Sequence, residues 1–265
     1  MSAAPSKARA WLELGRVSKL PTVWSNVVHG LAAAWFTGVG LQMEEAYGFG
    51  PDVTGRSLTE LLDQGFLLLV GASLLYTGGM VLNDVCDYAA DLKERPSRPL
   101  PSGRVSRRAA LVAGVGLLAA GWACTLVYRP RVAAWAGALT AAIVAYNLLH
   151  RFRLLGLALM AACRGLLLWT AASAIQAGTG LDADPVRVLE SVLAVACYTL
   201  LVTVVAWREA LPSLPWLSRC VATLIALMPL VDAAFLWNFG MAPMALFCVG
   251  CAVLTLLAQR FVPGS

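Results

Sequence analysis

Three aspartates at regular spacing are the residues of this chain best suited to chemistry. Asp84, Asp87 and Asp91 follow Asn83 in the run Gly78-Gly79-Met80-Val81-Leu82-Asn83-Asp84-Val85-Cys86-Asp87-Tyr88-Ala89-Ala90-Asp91. On a helix advancing about 100° per residue, Asp87 lies about 60° and Asp91 about 20° from Asp84, so all three carboxylates share one face with Asn83 at its edge. Three anions at such range repel unless a cation sits among them. Hard oxygen ligands suit magnesium, which keeps several waters and bridges one or two carboxylates to substrate phosphates. A merely solvated acidic helix end is the plainer alternative, but negative charge at a helix C-terminus opposes the macrodipole. The run continues Leu92-Lys93-Glu94-Arg95-Pro96-Ser97-Arg98-Pro99-Leu100-Pro101-Ser102-Gly103-Arg104. Its prolines stop the helix, and Arg95 and Arg98 supply forked donors for phosphate oxygens. The same basic loop also fits a topology anchor or a lipid-headgroup contact.

The elements that position these groups follow from composition. Of 265 residues, 59% are hydrophobic and only 13% charged, where a soluble domain carries roughly a quarter. Apolar runs long enough to span a bilayer occur at about 22–41, 66–88, 109–128, 132–149, 154–176, 188–207, 216–237 and 241–261. Each must be helical, because an unpaired backbone amide in hydrocarbon costs several kcal/mol. None alternates in polarity as a membrane barrel strand does. The expected fold is therefore all-α: one domain over 1–265, a polytopic bundle of about eight transmembrane helices, preceded by an amphipathic segment at 1–21. Asn238-Phe239-Gly240 leaves only a tight turn between the last two spans, whereas 42–65 reads as the longest loop, rich in Glu44, Glu45, Asp52, Glu60 and Asp63.

Orientation follows from the basic residues. With the N-terminus inside, about fifteen Lys and Arg fall on one side, against Arg56, Arg129, Arg131 and Arg187 on the other. By the positive-inside rule both termini and the 92–108 loop are cytoplasmic, in a membrane expected to be the bacterial inner membrane. Basic residues sorted in this way call for a lipid bilayer as partner and for no nucleic acid. The seven cysteines are scattered through apolar stretches and read as small buried side chains, not as a disulfide framework.

Charges inside spans mark candidate sites. Arg164 must face the interior, where it meets either an anionic substrate group or a structural ion-pair partner. Asp232 reads as structural. Asn26 and His29 lie about one turn apart and share a face, His29 as an interhelical hydrogen-bonding residue.

Asn83-Asp84-x-x-Asp87-x-x-x-Asp91, followed by Arg95-Pro-x-Arg98-Pro-Leu-Pro-Ser-Gly103, resembles the first aspartate-rich motif of the UbiA superfamily of membrane prenyltransferases. Leu20-Pro21-Thr22-Val23-Trp24-Ser25-Asn26-Val27 resembles that family's first-helix signature. Tyr146-Asn147-Leu148-Leu149-His150-Arg151 sits where the family has a tyrosine followed by a basic residue. The resemblance covers about residues 15–260. It implies a helical bundle around a central cavity, nine helices being the family's usual count, with magnesium on Asp84, Asp87 and Asp91. It also implies a prenyl diphosphate whose loss of diphosphate yields an allylic cation that alkylates an aromatic or lipid-like acceptor. Asn26, Asn83, Arg95, Arg98, Tyr146, Arg151 and Arg208 are then the substrate-binding candidates, with Arg164 and Glu209 joining the aspartates as catalytic candidates.

One departure stands out. The family's second aspartate-rich motif follows helix six, and here that region reads Val202-Thr203-Val204-Val205-Ala206-Trp207-Arg208-Glu209-Ala210-Leu211-Pro212-Ser213, with Glu209 its only carboxylate. Arg208 and Glu209 are expected either to form a reduced second half of the site or to make a local surface pair. That string, with Ala162-Cys163-Arg164-Gly165, is similar to a divergent UbiA-like branch found in bacterial "ebo" clusters (EboC-like). This branch is linked to handling of secondary-metabolite precursors. The alternative to magnesium-dependent prenyl transfer is therefore a non-catalytic carrier built on the same anion site.

Overall fold

The structure, a computed structural model, describes residues 6–47, 56–128, 130–179, 183–209 and 217–262; the side chains of 39–47, 56–64, 176–179, 207–209 and 218 lie outside that description. Ten α-helices follow one another among the described residues: α1 (Lys7–Leu14), α2 (Leu20–Tyr47), α3 (Arg56–Cys86), α4 (Tyr88–Glu94), α5 (Arg107–Ala123), α6 (Pro130–Leu149), α7 (Arg153–Thr179), α8 (Pro185–Glu209), α9 (Leu217–Asn238) and α10 (Ala242–Phe261). Each of the eight apolar runs coincides with a long helix, and α1 and α4 are short additions. Seven of the long helices, from α3 onward and leaving out α4, carry stretches long and apolar enough to cross a membrane. The expected 42–65 loop is shorter than its composition suggests. Helix α2 runs on to Tyr47 and α3 begins at Arg56, since Gln, Glu and Leu are good helix formers even outside hydrocarbon.

Helix α2 is the hub, packing against α3, α7, α9 and α10. Lipid is as apolar as leucine, so helices associate in it through close van der Waals packing of small residues. Helix α2 buries Ala32, Ala33 and Ala34, and α7 buries Ala171, Ala172 and Ala174. Gly30 sets how closely these helices approach. A Cβ built there would stand 2.3 Å from the Leu168 carbonyl oxygen, so no larger residue fits without moving a helix.

The tight turn between α9 and α10 is closed by Gly240 at φ 71° and by the Met241 amide donating to the Leu236 carbonyl at 2.9 Å, a left-handed helix end that favours glycine. At the other end of the chain, Ser6 caps α1. Helix α1 buries Ala10 and Leu14 against Val81 and Val85 of α3 and Leu100 and Val105 of the following loop. Glu13 then ties α1 to that loop, accepting from Arg104 Nη1 at 2.9 Å.

Candidate functional site

Helix α3 ends at Cys86 and α4 restarts at Tyr88, so the aspartate run is almost one helix. The Asp87 amide still donates to the Asn83 carbonyl, and the Asp91 amide to the Asp87 carbonyl, both at 2.9 Å. Pro96 lies just beyond, and α4 stops at Glu94 as the prolines require. The chain then turns back and brings Arg98 onto the aspartates.

Asp84 and Asp91 are 5% and 4% exposed, and one guanidinium nitrogen joins them: Arg98 Nη1 lies 2.8 Å from Asp91 Oδ2 and 3.7 Å from Asp84 Oδ1. Arg16 closes the group from the other side. Its Nη2 donates to Asp84 Oδ1 at 3.1 Å and to Asn83 Oδ1 at 3.3 Å. Asp87 departs from the expected cluster of three. Displaced around the helix from the other two, it pairs instead with His150 Nε2 at 2.9 Å. The other ring nitrogen of His150 faces the carbonyls of Tyr146 and Asn147 at 3.2 Å.

Among the described residues no three His, Cys, Asp or Glu side chains converge as a metal-ligand set. Asp84 and Asp91 nevertheless suit magnesium in kind. They are hard oxygen donors drawn together around a single cationic nitrogen, and magnesium needs only one or two protein carboxylates when water and phosphate complete its shell. Arg98 Nε is buried without a partner, an unused donor of the sort a phosphate oxygen satisfies.

Beside this cluster a cavity of about 490 Å³ runs between α2, α3, α6, α7, α8 and α9. Arg16, Lys19, Asn83, His150 and Arg153 line its polar mouth, and Tyr76, Leu139, Ile143, Met160, Leu167 and Val202 are among its body residues. Tyr146 and Asn147 also line it, and the Asn147 side-chain amide donates to the Gly79 carbonyl at 3.0 Å, pinning α6 to α3.

Other candidates fall elsewhere. Arg164 does face the cavity. Asn26, expected in the wall, lies behind it. It is fully buried, its oxygen accepting from Arg164 at 3.4 Å and its nitrogen donating to Asp232 at 3.2 Å. His29 Nδ1 meets the same Asp232 oxygen at 2.8 Å, while His29 Nε2 and the other Asp232 oxygen are buried without a hydrogen-bond partner. Arg95 and Arg151 are exposed and form no ion pair with the aspartates. Arg208 and Glu209 close α8, but their side chains lie outside the described residues. Ala206, one turn earlier, lines the cavity.

Reading the sequence misses Arg16 and His150 in the ion-paired cluster, and Lys19 and Arg153 beside them at the mouth. Arg16 counts there only as an orientation marker, and His150 only as a neighbour of the basic residue expected at Arg151. The one local signal for Arg16 is the Gly15-Arg16 break between two helical stretches, where Arg16 takes the left-handed conformation at φ 46°, ψ 44°.

With this geometry in hand, comparison with known proteins is specific. A model of the UbiA prenyltransferase family matches residues 54–263. The chain is 45% identical over 73 residues to the digeranylgeranylglyceryl phosphate synthase of Methanoregula boonei, a stretch covering 27% of this chain and 26% of that protein. It is 31% identical over 113 residues to the protoheme IX farnesyltransferase of Geobacillus kaustophilus, covering 42% of this chain and 32% of that one. The match thus spans about a quarter to a third of these relatives' length. In fold it is similar to a UbiA homolog from Archaeoglobus fulgidus bound to GPP and Mg2+ (TM-score 0.55, 15% identity, 95% of this chain and 99% of that one). A solved structure of digeranylgeranylglyceryl phosphate synthase is comparably close in fold (TM-score 0.52, 16% identity, 97% and 95%).

Proposed function

The chain belongs to the UbiA prenyltransferase family, and on that premise we propose that it transfers a prenyl group from its diphosphate to an apolar or aromatic acceptor inside the membrane. The observation that carries this reading is the cavity itself, polar and charged at one end and mainly apolar along its body. A prenyl diphosphate has the same division, with an anionic head and a hydrocarbon tail.

Asp84 and Asp91, with Asn83 beside them, would hold magnesium, and Asp87 would join directly or through water. Bound there, magnesium supplies charge neutralisation for the departing diphosphate. Arg16 and Arg98 do the rest from fixed positions. Each now bonds a carboxylate, and each can turn its donors to phosphate oxygens as negative charge develops on the leaving group. Tyr146 and His150 border the same mouth, and His150 holds Asp87 in place. The apolar body accommodates the tail and limits the water that would otherwise capture an allylic cation.

The basic asymmetry supports a cytoplasmic position for this mouth and both termini. Ser97→Cys in a background free of native cysteines should resist an impermeant thiol reagent added from outside. Labelling from that side would reverse the assignment.

The direct test of activity is to incubate purified protein with labelled prenyl diphosphates, magnesium and candidate acceptors. Magnesium-dependent diphosphate release and a prenylated product are expected. A second reading, a carrier that binds a prenyl or metabolite phosphate without turnover, is favoured by Glu209 being the only carboxylate in the 202–213 region. Saturable binding with no diphosphate release from any acceptor mixture would replace the first reading with the second.

A further inference from the structure

Apart from the central cavity, an open apolar trough of about 620 Å³ runs along α6 beside Trp122 of α5. Gly137, Thr140, Ala141, Val144, Ala145 and Leu148 line it, at spacings of three and four that place them on one face of α6. Ala141, Val144 and Leu148 are exposed, so this face looks out of the bundle. The trough exists because the two helices have different partners. Helix α5 packs chiefly on α3 and α6 on α7, with little direct contact between α5 and α6. Small residues at 137, 141 and 145 keep its floor low, and Thr140 turns its hydroxyl back to the Ala136 carbonyl at 2.8 Å. Trp122 ties the far end together, its Nε1 donating to the Ala133 carbonyl at 2.9 Å. Gly137 and Leu149, the outermost lining residues on α6, are twelve positions apart, about 18 Å of helix. One leaflet holds about 15 Å of hydrocarbon, so the trough matches an acyl chain in length.

The end nearer the cavity mouth opens among arginines. Arg107 begins α5. Arg151 stands in the turn after α6, where the Phe152 amide donates to the Leu149 carbonyl at 2.9 Å. Both are exposed, and both act electrostatically on Cys86 at the end of α3, so they converge on one place. Arg107 lies over the Tyr88 ring, 5.2 Å from its centroid, a stacking that leaves the in-plane N–H donors free. Among the described residues neither arginine forms an ion pair, and neither lines the central cavity.

We propose that this trough binds one anionic glycerophospholipid, its phosphate on Arg107 and Arg151 and an acyl chain along the small-residue face of α6. Basic pockets between transmembrane helices take anionic headgroups in this way, and each arginine offers a phosphate a forked set of donors. A second copy of the chain is the competing occupant, since small-residue stripes also pack helix on helix. Charge decides against it. Neither α5 nor α6 contains an Asp or Glu. Two copies in one membrane with these faces opposed would bring four arginines to one depth with no carboxylate from either helix between them, and like charges repel. An anionic lipid supplies the missing charge. The site stands whether or not the chain transfers a prenyl group.

The test titrates delipidated full-length protein with phosphatidylglycerol or phosphatidylcholine of equal chain length and reads bound lipid by native mass spectrometry. The wild type should bind phosphatidylglycerol at least about tenfold more tightly than phosphatidylcholine. Arg107→Gln and Arg151→Gln should each weaken phosphatidylglycerol roughly fivefold and leave phosphatidylcholine unchanged. Ala141→Leu, which fills the trough and keeps both arginines, should weaken both lipids alike. If that variant fails to fold, the two exposed arginine positions still carry the test. Glycerol phosphate, a headgroup without chains, should not displace the lipid. Equal affinity for the two lipids, unchanged phosphatidylglycerol affinity in the double Gln variant, or displacement by glycerol phosphate would each overturn the proposal. A wild-type dimer that Ala141→Leu separates would hand the trough to a second copy instead.

Discussion

Among the described residues, one group of charged side chains sits at the cavity mouth and another behind its deeper wall, and the two are wired differently. At the mouth, Asp84, Asp87 and Asp91 are paired directly with Arg16, Arg98 and His150. Of these partners Arg16 and His150 line the cavity, so an incoming phosphate or cation can replace them. In the deeper group, Arg164 and Asp232 are kept apart by the Asn26 amide, and Asp232 is sealed. No ligand reaches it. The same residue types thus serve exchange in one place and fixed positioning in the other, and what decides between them is access to the cavity.

The sharpest way to break this contrast is Asp232→Ala. It removes the acceptor shared by His29 and Asn26 in a fully buried site, and removing one partner of a buried ionic network costs roughly 3–5 kcal/mol. Unfolding of the detergent-solubilised protein should register that loss. A change below about 1 kcal/mol would mean that the deep group contributes no more than surface pairs do.

At the mouth the pattern should invert. Asp84→Asn keeps the volume and removes one charge, so stability should move by about 1 kcal/mol or less, because Arg16 can keep its bond to Asn83 and Arg98 its bond to Asp91. Magnesium-dependent binding of a prenyl diphosphate should weaken by at least about tenfold, the loss of a charged contact. A variant that unfolds readily yet binds normally would exchange the roles of the two groups.

How much of this was legible beforehand depends on sequence distance. The aspartates and Arg98 lie within fifteen residues of one another, and helical spacing put all three carboxylates on one face, but the pairing of Asp87 with His150 was not readable from it. The eight long helices were equally readable, because hydrocarbon leaves a long apolar run few alternatives. Arg16 meeting Asp84 across 68 positions, and Asn26 meeting Asp232 across 206, could not be read. Those pairings follow from how α2 packs on α3 and α9, which no local pattern specifies. Asn26 matched a familiar first-helix string and so suggested a ligand, when tertiary packing gives it to Arg164.

The smallest expected effect belongs to the strap across the outer edge of the mouth. Glu13 bonds both Arg9 and Arg104, and Glu13→Gln should lower stability by about 0–1 kcal/mol, as partly exposed ion pairs do, with diphosphate affinity nearly unchanged. A tenfold loss of affinity would instead make the strap part of the mouth.

Arg16 carries one more consequence. A side chain held in the left-handed region costs of order 1–3 kcal/mol, and glycine would sit there without strain. A protein under selection for robustness alone would drift to glycine at this position and become harder to unfold. Retaining arginine implies a compromise between durability and work. The entrance of this cavity should therefore resist stabilising engineering, because the mutation that relaxes its backbone also removes the hand that grips Asp84.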